Sequence, residues 1–233
     1  MKTHLLLAVL LMLSACAHAQ QTALTPQAVA PAAPSRQQQI EQERQKWNAV
    51  LTGKETRILF NARPNTLLAD AVKGRKPGLA LDVGMGQGRN TIYLAQQGWD
   101  AYGFDVADEA INLAQENARK AGVKITTFTQ SDDDFDFGTN RWDLVAILYA
   151  GGREHIEQVR QSLKPGGLVV VEGFHRDATK LRKIGPSVVF DTDELKKLYE
   201  AAGFRILRYE EPEGIGDFGM QQVRLVKLVA EKK

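Results

Sequence analysis

The chain has 233 residues, and its 30 Lys and Arg nearly balance its 28 Asp and Glu, giving a formal net charge of +2. A charge this close to zero, with the basic residues scattered, argues against a nucleic-acid or other polyanionic partner. The single cysteine cannot form an intrachain disulfide or a CxxC metal site. Composition therefore excludes a disulfide scaffold, a zinc module and an iron–sulfur protein, and we expect one globular domain without a metal site.

Residues 1–19 have the pattern of a bacterial export signal. Lys2 precedes nine consecutive apolar residues, 5–13, which are too few to cross a hydrocarbon core that needs roughly 20. Two processing sites fit: residues 13–16 resemble a lipobox, in which Cys16 is lipidated, and residues 17–19 fit ordinary cleavage after Ala19. We expect cleavage at one of these sites and a protein that is either free in the periplasm or attached to a membrane through a lipid on Cys16.

Residues 20–40 are rich in Ala, Pro and Gln and show no apolar period, which predicts a disordered tether. The polar segment IEQERQKWNAV that follows predicts a short helix leading into the domain. We therefore assign the domain to residues 41–233.

From residue 79 onward, short apolar runs alternate with helical spacing. Strands are predicted at LALDVG, AYGFD, VKITTFTQ, WDLVAILYA and LVVVEGF, followed by an antiparallel hairpin of FRILRYEE and MQQVRLVKLVAEK. Helices are predicted at residues 89–97, 108–122 with Asp108 as cap, 156–163, and 192–203 with Thr192 as cap. Because alternating strands and helices require right-handed crossovers, the fold class is α/β: a doubly wound, mostly parallel seven-stranded sheet with a C-terminal antiparallel hairpin.

The first predicted strand leads into a glycine-rich loop, DVGMGQGRN, at residues 82–90. Glycines permit backbone conformations that are closed to other residues and let a ligand approach main-chain N–H groups. The dinucleotide fingerprint GxGxxG fails, because Arg89 stands where the third glycine is required, and no GKS or GKT follows as in a phosphate loop. Asp82 would repel a pyrophosphate but suits a ligand with an ammonium or sulfonium group.

The segment LDVGMGQGRN resembles the first motif of the class I S-adenosylmethionine-dependent methyltransferases. The segments WDLV at 142–145 and LKPGG at 163–167 resemble later motifs of that family, and the resemblance spans residues 58–230. The resemblance implies S-adenosylmethionine as cofactor and methyl transfer by in-line displacement. Together with the near-neutral net charge of the chain, the resemblance also implies a small-molecule acceptor. The implied cofactor contacts are Asp82 for the methionine ammonium, Gly84, Gly86 and Gly88 for methionine and ribose, Asp105 for the ribose hydroxyls, and Asp132, with Asp133 as its rival, for the adenine amino group.

Side chains that follow the fourth and fifth strands would face the acceptor. The catalytic candidates are Tyr149, Glu172 and His175, and Arg153 and His155 also follow the fourth strand. His175 leads, because a titratable imidazole after the fifth strand would face the acceptor pocket.

The family pattern also places residues 60–65 and 214–219 as lids over the pocket. Trp47, Trp99 and Trp142 are expected to pack within the protein rather than stack on a ligand.

Two other functions remain open. Export would carry the protein away from the compartment where S-adenosylmethionine is made, which favours a binding or scaffold protein that keeps the nucleoside pocket without transferring a methyl group. A nicotinamide-dependent oxidoreductase is less favoured because of Arg89.

Overall fold

The computed structural model describes residues 34–54 and 58–233. The predicted export signal and most of the predicted tether lie outside the described residues. Among the helices within these ranges, none combines the length and hydropathy that crossing a bilayer requires.

A helix, α1 (Arg36–Leu51), precedes the α/β domain. Its first turn is closed by a capping box, in which the Ser35 hydroxyl accepts from Gln38 N and the Gln38 side chain accepts from Ser35 N. Because of this cap, the helix begins before Ile40. The prediction of a tether up to residue 40 is therefore wrong for residues 36–40, which are helical.

The remaining α-helices and β-strands follow in chain order. They are α2 (Thr66–Val72), β1 (Leu79–Val83), α3 (Arg89–Gln96), β2 (Asp100–Asp105), α4 (Asp108–Lys120), β3 (Thr126–Thr129), β4 (Trp142–Leu148), α5 (Ile156–Ser162), β5 (Leu163–His175), β6 (Val189–Phe190), α6 (Glu194–Ala201), β7 (Phe204–Glu210), β8 (Glu213–Ile215) and β9 (Gln222–Lys232).

The main sheet has the strand order β3-β2-β1-β4-β5-β9-β7. The first five strands are parallel, and β9 is antiparallel to both β5 and β7. Two short strands extend it, since β6 pairs with the end of β5 and β8 pairs with β9. The predicted α/β class, with seven main strands and a C-terminal antiparallel hairpin, is confirmed.

Strand β4 is apolar except for Asp143 near its start, because hydrophobic clusters cover both of its faces. Val145 and Ile147 belong to one buried cluster, whereas Leu144, Ala146 and Leu148 belong to the other. These two layers hold the carboxyl ends of the parallel strands at one edge of the sheet, where ligands bind in open α/β folds.

The three tryptophans pack against other protein groups, as predicted. Trp99 and Trp142 are buried, and Trp142 Nε1 donates to Phe137 O at 2.8 Å. The Trp47 ring meets the Phe218 ring edge-on, with 5.7 Å between centroids.

Two predicted helix caps are wrong. Asp108 is the first residue of α4 and Ala107 precedes it, without a side-chain cap. Helix α6 begins after Asp193, which has a left-handed backbone (φ 60°), and no side chain caps it. The Thr192 hydroxyl instead lies 3.0 Å from His175 Nε2.

Candidate functional site

Three left-handed glycines shape the loop between β1 and α3. The φ angles of Gly84, Gly86 and Gly88 are 63°, 55° and 82°, a region that residues with a Cβ rarely adopt. A Cβ on Gly88 would also lie 2.9 Å from the Cβ of Ala114 in α4, whereas one on Gly86 would meet nothing within 4 Å. The loop is therefore packed against the domain at Gly88 and open to a ligand at Gly86.

Asp105, at the end of β2, is fixed beside this loop by backbone hydrogen bonds. Gly86 N donates to its Oδ2 at 3.0 Å, and Ala107 N donates to its Oδ1 at 2.9 Å. Burial raises the pKa of Asp105, and these N–H groups oppose the rise. Each carboxylate oxygen keeps a second lone pair, so the pair of oxygens can still accept from two ligand hydroxyls.

Asp82 lies beneath the loop and is only 1% exposed. The Thr91 hydroxyl donates to its Oδ2 at 2.7 Å. Burial raises the pKa of Asp82 to about 6, against the opposing effects of that hydrogen bond and of the Arg89 charge. The site thus holds a carboxyl group that a cationic ligand would favour in its ionised form.

Asp132 and Asp133, which follow β3, share one partner. His155 Nε2 lies 3.2 Å from Asp132 Oδ2 and 3.5 Å from Asp133 Oδ1. The hydrogen bond to Asp132 raises the pKa of His155, and the same bond lowers the pKa of Asp132. Arg36 of α1 also pairs with Asp133. A narrow cleft lined by Asp132, His155 and Ala150 runs beside this pair.

Tyr149 and Glu172, two of the catalytic candidates, are brought together at the ends of β4 and β5. The Tyr149 hydroxyl donates to Glu172 Oε1 at 2.6 Å, and Asn65 Nδ2 donates to the same oxygen at 2.9 Å. Glu172 Oε2 lies 3.5 Å from Lys227 Nζ but accepts no hydrogen bond from any residue that the structure describes.

A second carboxylate, Asp217, extends these contacts. Asn65 Nδ2 and Arg89 Nη2 each donate to Asp217 Oδ2 at 2.7 Å. We call the connected set the Glu172 network: Asn65, Arg89, Tyr149, Glu172, Asp217 and Lys227. Sequence reasoning missed the roles of Asn65, Asp217 and Lys227; the only signal was that the first two lie in the predicted lid segments.

The environment of the Glu172 network is unusual for polar groups. Burial raises the pKa of Glu172, which the charge of Lys227 opposes. Burial and the nearby Glu172 charge raise the pKa of Tyr149 well above its ordinary range, so its hydroxyl keeps its proton at neutral pH. Tyr149 also has a left-handed backbone, with φ of 61°, and such strain in a residue other than glycine is common at functional sites.

His175, the leading catalytic candidate, has its hydrogen-bond partners outside the Glu172 network. It is 5% exposed, its Nδ1 accepts from Asp177 N at 3.2 Å, and its Nε2 lies 3.0 Å from Thr192 Oγ1 and 3.9 Å from Glu211 Oε2. A role for His175 toward the acceptor stays a prediction. Arg153, which also follows β4, donates instead to carbonyl groups of residues 186–189.

The two predicted lid segments meet each other. Phe60 and Phe218 form an antiparallel bridge, with ring centroids 5.5 Å apart, and Asn61 N donates to Asp217 O at 2.9 Å. Because Asn65 and Asp217 belong to these segments, the pairing lies next to the Glu172 network. Closure over a bound ligand stays a prediction.

Residues 80–167 match the protein family described as "Methyltransferase domain". The N-terminal Xaa-Pro-Lys N-methyltransferase 1-A of Xenopus laevis is 29% identical over 148 residues, which are 59% of this chain and 66% of that protein. A probable S-adenosyl-L-methionine-dependent methyltransferase, TehB, of Haemophilus influenzae is 37% identical over 154 residues, 63% of this chain and 53% of that protein. The chain thus spans between about half and two thirds of the length of these curated relatives.

A solved methyltransferase structure has the same fold as this chain. The 1,6-didemethyltoxoflavin-N1-methyltransferase of Burkholderia thailandensis, with bound 1,6-didemethyltoxoflavin and S-adenosylhomocysteine, has a TM-score of 0.61 at 19% identity, covering 91% of this chain and 98% of that one. These findings confirm the predicted fold class and support the predicted methyltransferase domain. Residues 80–167 match a methyltransferase domain, and the chain has the Rossmann-like fold of solved methyltransferases.

Proposed function

We propose that this protein is an enzyme that transfers a methyl group from S-adenosylmethionine to a small-molecule acceptor. The main observation in support is the glycine loop that is open at Gly86, with the Asp105 carboxylate fixed beside it. Asp105 would accept from the ribose hydroxyls, and Asp132 or Asp133 from the adenine amino group. Asp82 would lie at the methionine end, along with the glycines at 84 and 88.

A small acceptor is supported by two observations. The near-neutral net charge gives the chain little overall attraction for a polyanion. One solved structure of the same fold has both 1,6-didemethyltoxoflavin, a small molecule, and S-adenosylhomocysteine bound.

The bound sulfonium group supplies a methyl group that is already activated, so the chain mainly positions the acceptor and excludes water. The Tyr149 hydroxyl and Glu172 are the groups that we assign to the acceptor side. Glu172 would take the proton of an acceptor that must lose one, because burial raises its pKa and no residue that the structure describes donates a hydrogen bond to its Oε2. Asn65 and Lys227 hold that carboxylate in place.

Calorimetry with the full chain and S-adenosylhomocysteine tests the cofactor site. We expect binding that Asp105→Ala weakens by about 10²- to 10⁴-fold, because two hydrogen bonds to a charged group contribute about 1.5–3 kcal/mol each. The control, Asp108→Ala, removes an exposed carboxylate three residues further on and should leave the affinity unchanged. Equal affinity in wild type and Asp105→Ala would refute the assignment.

A transfer screen with methyl-labelled S-adenosylmethionine separates the enzyme from a protein that keeps the pocket without transfer. Binding of the cofactor without labelling of any acceptor would favour the binding or scaffold alternative. For an acceptor that is labelled, Glu172→Gln should lower kcat by about 10²-fold or more without changing the affinity for S-adenosylhomocysteine. Glu213→Gln, on exposed β8, is the matched control; a larger loss in His175→Gln than in Glu172→Gln would move the base to His175.

We further propose that residues 1–19 export the protein and that Cys16 is lipidated. The apolar run, the small residues after it and the position of the cysteine support this proposal. Labelled palmitate should be incorporated into wild type and not into Cys16→Ser, and globomycin should cause the precursor to accumulate. A soluble, unlabelled periplasmic protein that begins at Gln20 would show cleavage after Ala19 instead.

A further inference from the structure

Arg182 lies between β5 and β6, beside the acceptor side of the proposed site. Its guanidinium stands over two aromatic rings, 4.6 Å from the centroid of Phe174 and 5.5 Å from that of Phe218. Its Nη2 donates to Phe218 O at 2.6 Å. Phe174 packs in turn against Tyr149, with 4.8 Å between ring centroids. Arg182 is therefore a cation fixed next to the Glu172 network.

Arg182 has no anionic partner in the part of the chain that the structure describes. Its Nε is buried and has no hydrogen-bond partner there. The two carboxylates of the Glu172 network are paired with other cations, Glu172 with Lys227 and Asp217 with Arg89. Partial burial lowers the pKa of Arg182, as expected for a cation that is partly shielded from water.

A buried donor atom without a hydrogen-bond partner is costly, so atoms such as Arg182 Nε are normally paired. A guanidinium presents a planar fork of N–H donors that fits the oxygens of a carboxylate or phosphate. The chain also makes room for this fork, because a Cβ on Gly219 would collide with Arg182 Nη1. A carboxylate or phosphate group of a ligand could therefore supply the negative charge that the Arg182 guanidinium lacks.

We propose that Arg182 binds an anionic oxygen group, a carboxylate or a phosphate, of the methyl acceptor. This inference rests on the proposed function and narrows its substrate class: the acceptor combines a group to be methylated, near Tyr149 and Glu172, with an oxyanion beyond Phe174.

The test is a calorimetric titration of the full chain, with and without S-adenosylhomocysteine. The anionic probes are benzoate and phenyl phosphate, and benzamide and benzyl alcohol are their neutral counterparts. In wild type, at least one anion should bind about tenfold more tightly than its neutral counterpart. Arg182→Met should abolish this preference, and Arg182→Lys, which keeps the charge but loses the fork, should retain part of it. Arg160→Met, on the exposed side of α5, is the control and should behave as wild type.

The outcomes separate this inference from the proposed function. If S-adenosylhomocysteine binds but wild type shows no anion preference, or if Arg182→Met and Arg182→Lys both leave the preference unchanged, the inference is overturned and the methyltransferase proposal stands. If S-adenosylhomocysteine does not bind while the anion preference depends on Arg182, the proposed function fails and the anion site stands. Circular-dichroism melting of each variant verifies that it is folded.

Discussion

Replacing Asp82 with asparagine should make the protein more stable, because the buried carboxyl group is costly when ionised. Burial raises its pKa from 3.8 to about 6 in the folded chain. Between these values the folded chain holds a proton that the unfolded chain has lost, so the contribution of Asp82 to stability falls as the pH rises through this interval. The full pKa difference corresponds to about 3 kcal/mol of unfolding free energy, since one pKa unit corresponds to about 1.4 kcal/mol.

Asparagine has nearly the same shape and does not titrate, so the difference in unfolding free energy between Asp82→Asn and wild type isolates this effect. Of the total, about 2 kcal/mol should develop between pH 4 and pH 8, because part of the change lies below pH 4. Urea unfolding followed by circular dichroism at intervals across this range measures the difference. Asp108→Asn, which replaces an exposed aspartate, is the control.

A difference for Asp82→Asn that stays flat would refute the reasoning, since it would mean that Asp82 titrates alike in the folded and unfolded chains. The same variant should bind S-adenosylhomocysteine more weakly than wild type, because a neutral amide cannot balance the ligand's ammonium group. A gain in stability together with a loss of affinity is the result expected of a residue kept for binding.

Two further predictions concern the frame of the site. Gly88→Ala should lower the unfolding free energy by about 1–3 kcal/mol, because the φ of 82° is strained for alanine and the new Cβ would lie 2.9 Å from that of Ala114. Gly86→Ala, whose Cβ meets open space, should lower the unfolding free energy by less. Urea unfolding of both variants measures the two losses, and equal losses would contradict the packing argument. The Asp132–His155 pair should contribute most to the unfolding free energy between about pH 4 and pH 6.5. Because the pKa of His155 is raised, its contribution is lost as the pH rises through the pKa of the folded state. Because the pKa of Asp132 is lowered, its contribution is lost as the pH falls through the pKa of the folded state. A double-mutant cycle of His155→Gln and Asp132→Asn should show a larger coupling energy at pH 5.5 than at pH 9, and the reverse order would contradict the pairing.

The sheet could be predicted from the sequence because its signals are local. An apolar run such as β4 identifies a strand covered on both faces, and glycines after β1 identify a loop with left-handed backbone. The helix caps were less predictable, because several side chains compete for the same backbone groups. At α6 the Thr192 hydroxyl bonds to His175 instead of capping the helix, and at α1 the Ser35 cap lies inside a segment whose composition suggests disorder.

The Glu172 network could not be predicted as a unit, because its members come together only in the folded chain. Asn65 contacts Glu172 and Asp217, which lie 107 and 152 residues away in sequence. Neither Asn65 nor Asp217 stands in a motif, and Lys227 lies on β9 among alternating residues with no special spacing. Such long-range hydrogen bonds leave no periodic signal, whereas Tyr149 and Glu172 were candidates because each lies near the carboxyl end of a predicted strand.

The positions of the site residues along the sequence also limit what the relatives can indicate about the acceptor. The groups that we assign to the cofactor, from Asp82 to Asp133, all lie within residues 80–167, the part that matches the methyltransferase family. On the acceptor side, Tyr149 lies inside this part, whereas Asn65, Glu172, Arg182, Asp217 and Lys227 lie outside it, on segments contributed by both ends of the domain. The family match therefore covers all of the groups that we assign to the methyl donor and only part of those that we assign to the acceptor. For that reason the identity of the acceptor is better sought through the charge and shape of the groups around Arg182 than through the substrates of proteins that share the fold.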